Sequence, residues 1–143
     1  MLMKRLRFSV ALFAAGFTMT ANAQNDLGQA CGCPSVSSRP TLNLSLRADV
    51  DGNLTAANTV LSCDTTYILN DKIYVGDGKS ITIAPGTVIK GLQGVAGDNN
   101  ALIVSRGGKI FAPGTCDCPI VFTANADPMN GTYGITNKGK WGG

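Results

Sequence analysis

The 143-residue chain contains no histidine and no glutamate. Without imidazole the commonest general acid–base group is missing, and a histidine-based zinc site is excluded. Proton transfer by a carboxylate would rest on aspartate alone. Charge is sparse, with twelve Lys and Arg against nine Asp. Long apolar runs are also lacking: the longest, "FSVALFAAGF" at residues 8–17, falls well short of the roughly 20 residues that cross a bilayer. It follows the basic stretch "MLMKRLR" and precedes "TMTANA", with Ala21 and Ala23 in A-x-A positions. That order is a secretory signal peptide, with cleavage expected after Ala23. Gly28 and Gln29 before Cys31 fit a lipoprotein signal poorly.

Cleavage removes Lys4, Arg5 and Arg7, so nine cations remain against nine Asp and the mature chain is formally neutral. The basic balance belongs to the export signal. No basic patch argues for nucleic acid or an anionic membrane surface, and no transmembrane segment is expected in the mature chain.

What the chain does have is cysteine and glycine. Cys31, Cys33, Cys63, Cys116 and Cys118 all survive cleavage, and an exported chain meets an oxidising space, so disulfides are the expected state. An odd count leaves one thiol without a partner inside the chain. Four of the five sit in C-x-C pairs, "CGC" and "CDC". Zinc sites usually take wider spacings, so staples are preferred to a thiolate metal centre. Which cysteine joins which is open. No catalytic residue, metal or cofactor is expected.

Residues 24–40 are rich in Gly, Ser, Cys and Pro and read as a tether or cap. "TLNLSLRADV" alternates at Leu42, Leu44 and Leu46, predicting a strand with one buried face. Asp49, Asp51 and Gly52 evoke a calcium loop, but Arg47 and Asn58 stand where its first and last ligands belong. A plain Asp-Gly turn is the better reading. From Thr66 onward come short segments rich in Ile and Val, bounded by Gly, Pro, Asn or Asp, with no helical period.

Two of these segments share an order. "IYVGDGKSITIAPGTVIKG" and "LIVSRGGKIFAPGTCDCPIVFT" both read strand, glycine turn, strand, Pro-Gly-Thr, strand. Ala84 and Ala112 open the two Ala-Pro-Gly-Thr copies. Their spacing lies within the range of roughly 20–50 residues that means stacked units. Three short strands per unit without a helix predict an all-β parallel β-helix, one coil per unit. Pro85, Gly86, Thr87 and Pro113, Gly114, Thr115 are then coil corners: proline ends a strand, glycine permits the bend, and β-branched threonine starts the next extended stretch. The expected interior is Ile73, Val75, Ile81, Ile83, Ile89, Leu102, Val104, Ile110, Ile120 and Phe122. Aligning the two motif copies leaves a misfit, because Thr82 then faces Ile110 and Ile83 faces Phe111, which predicts a one-residue register shift.

With "PGTVIKG", "SRGGKI", "PIVFT" and "GKWGG" in that order, residues 61–143 resemble the opening of large secreted or surface proteins of Bacteroidetes-type bacteria, often sorting-domain proteins. The resemblance implies the right-handed parallel β-helix scaffold of pectate lyases. None of the acidic calcium ligands or the basic residue of those enzymes is matched here. The division expected is 1–23 signal peptide, 24–60 linker or cap with one or two strands, and 61–143 the first coils of an incomplete solenoid. Too few coils to close both ends predict an amino-terminal piece of a longer protein.

The function expected is therefore an exported structural β-helix segment, a stalk or adhesin-like scaffold, extracellular or on the outer surface of a Gram-negative-type bacterium. No catalysis is expected in this chain. Expected partners are surface glycans or further coils of the same protein, and not nucleic acid. One alternative is a carbohydrate-binding or carbohydrate-cleaving protein whose site lies on later coils; another is a self-stacking solenoid unit. Arg106 and the cluster Asp98, Asn99, Asn100 read as solvated turns rather than ligand sites. Trp141 reads as packing over a coil end, with Tyr133 nearby in the loop of residues 125–140.

Overall fold

A computed structural model describes residues 27–94 and 99–141. The export signal and Asp98 lie outside the described residues. Among those described, nine short strands follow one another: β1 (Thr41–Asn43), β2 (Asn58–Leu61), β3 (Thr66–Leu69), β4 (Lys72–Val75), β5 (Ser80–Ile83), β6 (Val88–Gly91), β7 (Ala101–Val104), β8 (Lys109–Phe111) and β9 (Val121–Ala124). They form three sheets, ordered β1-β3-β6-β9, β2-β5-β8 and β4-β7. Every strand-to-strand pairing is parallel. Each turn of chain thus contributes one strand to each sheet and returns one level higher, which is a parallel β-helix. β2, β3 and β4 make the first full coil, β5, β6 and β7 the second, and β8 and β9 most of a third.

Burial follows the pleat. In β4 and β5 alternate residues are fully buried, Ile73 and Val75 in one, Ile81 and Ile83 in the other. Parallel register then stacks like on like. Tyr67, Ile89 and Phe122 form one inward column, and Thr59, Ile81 and Ile110 form another. Each fully buried Ile or Leu contributes roughly 1.5–3 kcal/mol, so the interior columns are the main source of stability.

The register resolves the misfit between the two repeats. Ile110 lies over Ile81 and Phe111 over Thr82, so the strands repeat one residue later than the motif does. Pleat alternation sets the stacking, and the Ala-Pro-Gly-Thr copies do not superpose. The connection also lengthens in the third coil. β5 ends at Ile83 and β6 begins at Val88, whereas β8 ends at Phe111 and β9 begins only at Val121, which lies over Val88.

Two expectations are corrected. The alternation at Leu42, Leu44 and Leu46 does not make one strand. β1 ends at Asn43, and Leu44–Arg47 form a 3-10 turn that buries Leu44 and leaves Leu46 exposed. The Asn70 side chain holds this turn, accepting from the Ser45 amide and donating to its hydroxyl. Leu44 and Leu54 thereby close the lower end of the core. At the other end, Val104, Ile110 and Phe122 are 38%, 44% and 41% exposed, although each stands in register above a buried residue. They point inward, but β7, β8 and β9 are the outermost strands of their sheets.

Trp141 partly covers that open end. Its indole stacks on Phe122 with centroids 6.2 Å apart and donates to the Asn100 carbonyl at 2.8 Å. Gly91 makes the space, because a Cβ there would collide with the indole. The single tryptophan therefore occupies interior volume that residue 91 leaves empty.

The core yields two tests. Thr59 is buried with a hydroxyl that has no partner among the described residues; Thr59→Val removes this orphan and should stabilise the fold by about 1 kcal/mol, read as a higher midpoint in a denaturant titration. Gly91→Ala should expel the indole, shifting Trp141 emission to longer wavelength; unchanged emission would show that the indole does not fill this space.

Candidate functional site

The chemistry-bearing residues gather along one corner of the solenoid. Residues 27–40 climb past three coils there as a strap. Cys33 bonds Cys63 just before β3, and Cys31 bonds Cys118 just before β9, with Cα separations of 5.6 and 6.3 Å. Between these anchors Gly28 lies against Gly86 of the second coil. A Cβ on Gly28 would come within 3.1 Å of the Gly86 Cα, and one on Gly86 within 2.9 Å of the Cys33 sulfur. Both glycines also have positive φ, 81° and 77°, so two constraints converge on glycine at each position.

Arg39 ties the strap to the corner. It is 6% exposed, and its guanidinium donates to the carbonyls of Pro34 at 3.0 Å, Gly86 at 2.8 Å and Leu27 at 2.6 Å. Burial lowers its pKa, with Asp64 opposing the shift. Hydroxyls of Ser62 and Thr65 donate to Asp64 and hold that carboxyl below its usual range. A planar fork with five donors suits three carbonyls arriving from different directions. Beside it, Val36 of the strap packs with Val88 and Met129, covering the outer face of the β1-β3-β6-β9 sheet.

Two predicted corners take different forms. Pro85, Gly86 and Thr87 join β5 to β6, and the buried Thr87 hydroxyl donates to the Ala84 carbonyl at 2.7 Å. Pro113, Gly114 and Thr115 follow β8 and open the longer connection to β9. What lies over Gly86 is Cys118, whose carbonyl accepts the Gly86 amide at 3.1 Å. Thr115 closes a small loop against Cys118, its amide donating to the Cys118 carbonyl at 3.2 Å and its hydroxyl accepting the Cys118 amide at 3.1 Å. Cys116 lies in this loop, exposed and the one free thiol among the described residues.

A second feature is a groove of about 360 Å³ on the outer face of β2-β5-β8, lined by Asn58, Asp77, Ser80, Lys109 and Phe111. Ser80 donates to Asn58 at 2.7 Å, and Phe111 is 52% exposed. The turns beside it stack tightly: a Cβ on Gly107 would strike the Asp77 carboxylate, and one on Gly108 the Val75 carbonyl. Glycine at both positions lets the third coil sit on the second.

The remaining flagged residues do not join either feature. Arg106 is exposed in the turn before β8. Asp49 caps its own turn, its carboxylate accepting the amides of Asp51 at 3.0 Å and Asn53 at 2.8 Å, which holds its pKa below the usual value. Among the described residues no group of three or more His, Cys, Asp or Glu is placed to hold a metal. Asn99 is exposed, while Asn100 is buried and donates to the Leu92 carbonyl at 3.0 Å. Tyr133 is partly buried. Arg39 was not singled out from the sequence: an Arg between Ser38 and Pro40 in a polar stretch carries no local sign of burial.

Substituting Arg39 with Met would leave three carbonyls without their donors, at a cost of about 2–4 kcal/mol. A thermal melt under oxidising conditions should show a lower midpoint for Arg39→Met, with Arg39→Lys intermediate; an unaltered midpoint would remove Arg39 from this role.

Comparison with known proteins agrees with the coil geometry. Residues 52–143 match the family model described as a pectate-lyase like beta helix domain. The match covers more than half of the chain, which therefore belongs to that family. No curated protein and no solved structure matches it.

Proposed function

We propose that this member of the pectate-lyase-like β-helix family is an exported structural scaffold, a stalk or display segment at the outer surface of a Gram-negative-type bacterium or released from it. The observation that carries this reading is the strap. A segment bonded to the first and third coils, with Arg39 at the second, resists separation of the coils along the solenoid axis. In the chain-entropy account, loops closed by bonds 87 and 30 residues apart are worth roughly 3–5 kcal/mol each. Such reinforcement suits a segment that keeps its shape outside the cell. Two disulfides also fit an oxidising compartment. Among the described residues no helix is long and apolar enough to cross a membrane.

The test is expression of the full chain in a Gram-negative host with its own export signal. The expected product is an exported chain beginning at Gln24, with both disulfides formed. Retention of the unprocessed chain in the cytoplasm would overturn the export reading. In single-molecule pulling from the two ends, the oxidised chain should extend only outside the Cys31–Cys118 bond, and reduction should release the enclosed segment as added extension; identical traces with and without reductant would overturn the scaffold reading.

A second reading, glycan binding, is favoured by the exposed Phe111 beside Asn58, Ser80 and Lys109, since an aromatic face flanked by hydrogen-bonding groups can stack on a sugar ring. A glycan array separates the two readings: signal from the intact chain that is lost in Phe111→Ala supports binding, and no signal leaves the scaffold role alone.

A further inference from the structure

Three sulfurs share one corner of the third coil: the disulfide Cys31–Cys118 and the free thiol of Cys116. Cys116 is two positions from Cys118, which limits their Cα separation to about 7 Å even in fully extended chain. The loop between Thr115 and Cys118 is folded back by two hydrogen bonds. Cys31 and Cys118 lie 6.3 Å apart at Cα, so the backbone of Cys116 is kept within reach of one end of an existing disulfide. Exposure distinguishes the sulfur-bearing residues, with Cys31 and Cys116 exposed and Cys118 fully buried. Cys33–Cys63 joins a buried residue to a partly buried one.

We propose that these three cysteines form an internal exchange relay which moves the upper anchor of the strap between two positions on the third coil. The Cys116 thiolate attacks the Sγ of Cys31. A Cys31–Cys116 bond forms as Cys31–Cys118 breaks, and Cys118 leaves as a thiolate that recovers the proton given up by Cys116. One thiol and one disulfide exist before and after, so no oxidant or reductant is consumed. Burial of Cys118 slows the exchange, because a thiolate leaves a site shielded from water less readily. Cys31–Cys118 is the resident form and Cys31–Cys116 the minor one. In the minor form the strap holds an exposed loop instead of the buried residue that leads into β9. The coil at the open end loosens, while the first coil stays fixed through Cys63.

The full, oxidised chain tests this. It is incubated under native conditions, alkylated with N-ethylmaleimide and cleaved before aspartate, which separates Cys116 from Asp117 and Cys118, and the peptides are mapped by mass spectrometry. Most label should fall on Cys116. Roughly 0.1–10% should fall on Cys118, as for a typical minor state, accompanied by a Cys31–Cys116 cross-linked peptide. Both minor signals should vanish in Cys116→Ser. In Cys118→Ser, Cys31 should pair with Cys116. Label confined to Cys116 after prolonged incubation overturns the proposal, as does label on Cys31 with a Cys116–Cys118 pair. Cys31 and Cys116 both remaining free in Cys118→Ser overturns it too.

Discussion

The structure depends on one constraint, the parallel register that places each inward side chain above its counterpart one coil below. Ile81 over Thr59, Ile89 over Tyr67 and Leu102 over Ile73 are consequences of it. The ladder amides and carbonyls bond from coil to coil, so no strand is stable in isolation. Apolar columns and hydrogen-bond ladders therefore form together. The connections adapt to this rule. Asn58 of β2 lies beneath Ser80 of β5, and Ser80 beneath Lys109 of β8, so the second circuit of the chain is longer than the first. The difference is absorbed in turns while the columns stay aligned.

A solenoid built this way is weak where stacking stops. The lower end is closed by a change of conformation, the 3-10 turn that buries Leu44, together with Leu54 from the Asp49 turn. Among the described residues, Trp141 covers part of the upper end, over Gly91 and Phe122. The strap acts on the same weakness from the side. Its bonds to Cys63 and Cys118 span the coils that the ladder alone would hold, and Arg39 satisfies carbonyls that a segment crossing strand ends would otherwise bury unpaired. Shape persistence is thus distributed between the interior columns and one corner.

The features open to chemistry lie outside the columns. The groove beside Phe111 is made of outward-facing residues of one sheet, and the thiol of Cys116 sits in the loop that lengthens the third coil. Both can vary without disturbing the core, because in a strand successive side chains point to opposite faces. A single scaffold can in this way carry different surface functions.

Much of this was legible in the sequence. Short Ile- and Val-rich segments cut by glycine and proline identify stacked parallel coils, but the second Ala-Pro-Gly-Thr copy does not repeat the corner of the first: Gly86 takes a positive φ, Gly114 does not, and Cys118 is what lies over Gly86. Inward positions such as Ile73, Val75, Ile81 and Ile83 could be read from alternation alone. Other features depended on tertiary structure because they arise between residues distant in the chain. The one-residue difference between motif spacing and strand register is decided by which side chains face the core. The turn at Leu44 depends on Asn70. The pairing of Cys31 with Cys118 rather than with a nearer cysteine, and the burial of Arg39, depend on where a polar leader of no evident period crosses the finished coils. Periodicity speaks for elements that repeat, whereas the strap is used once and takes its form from the surface on which it lies.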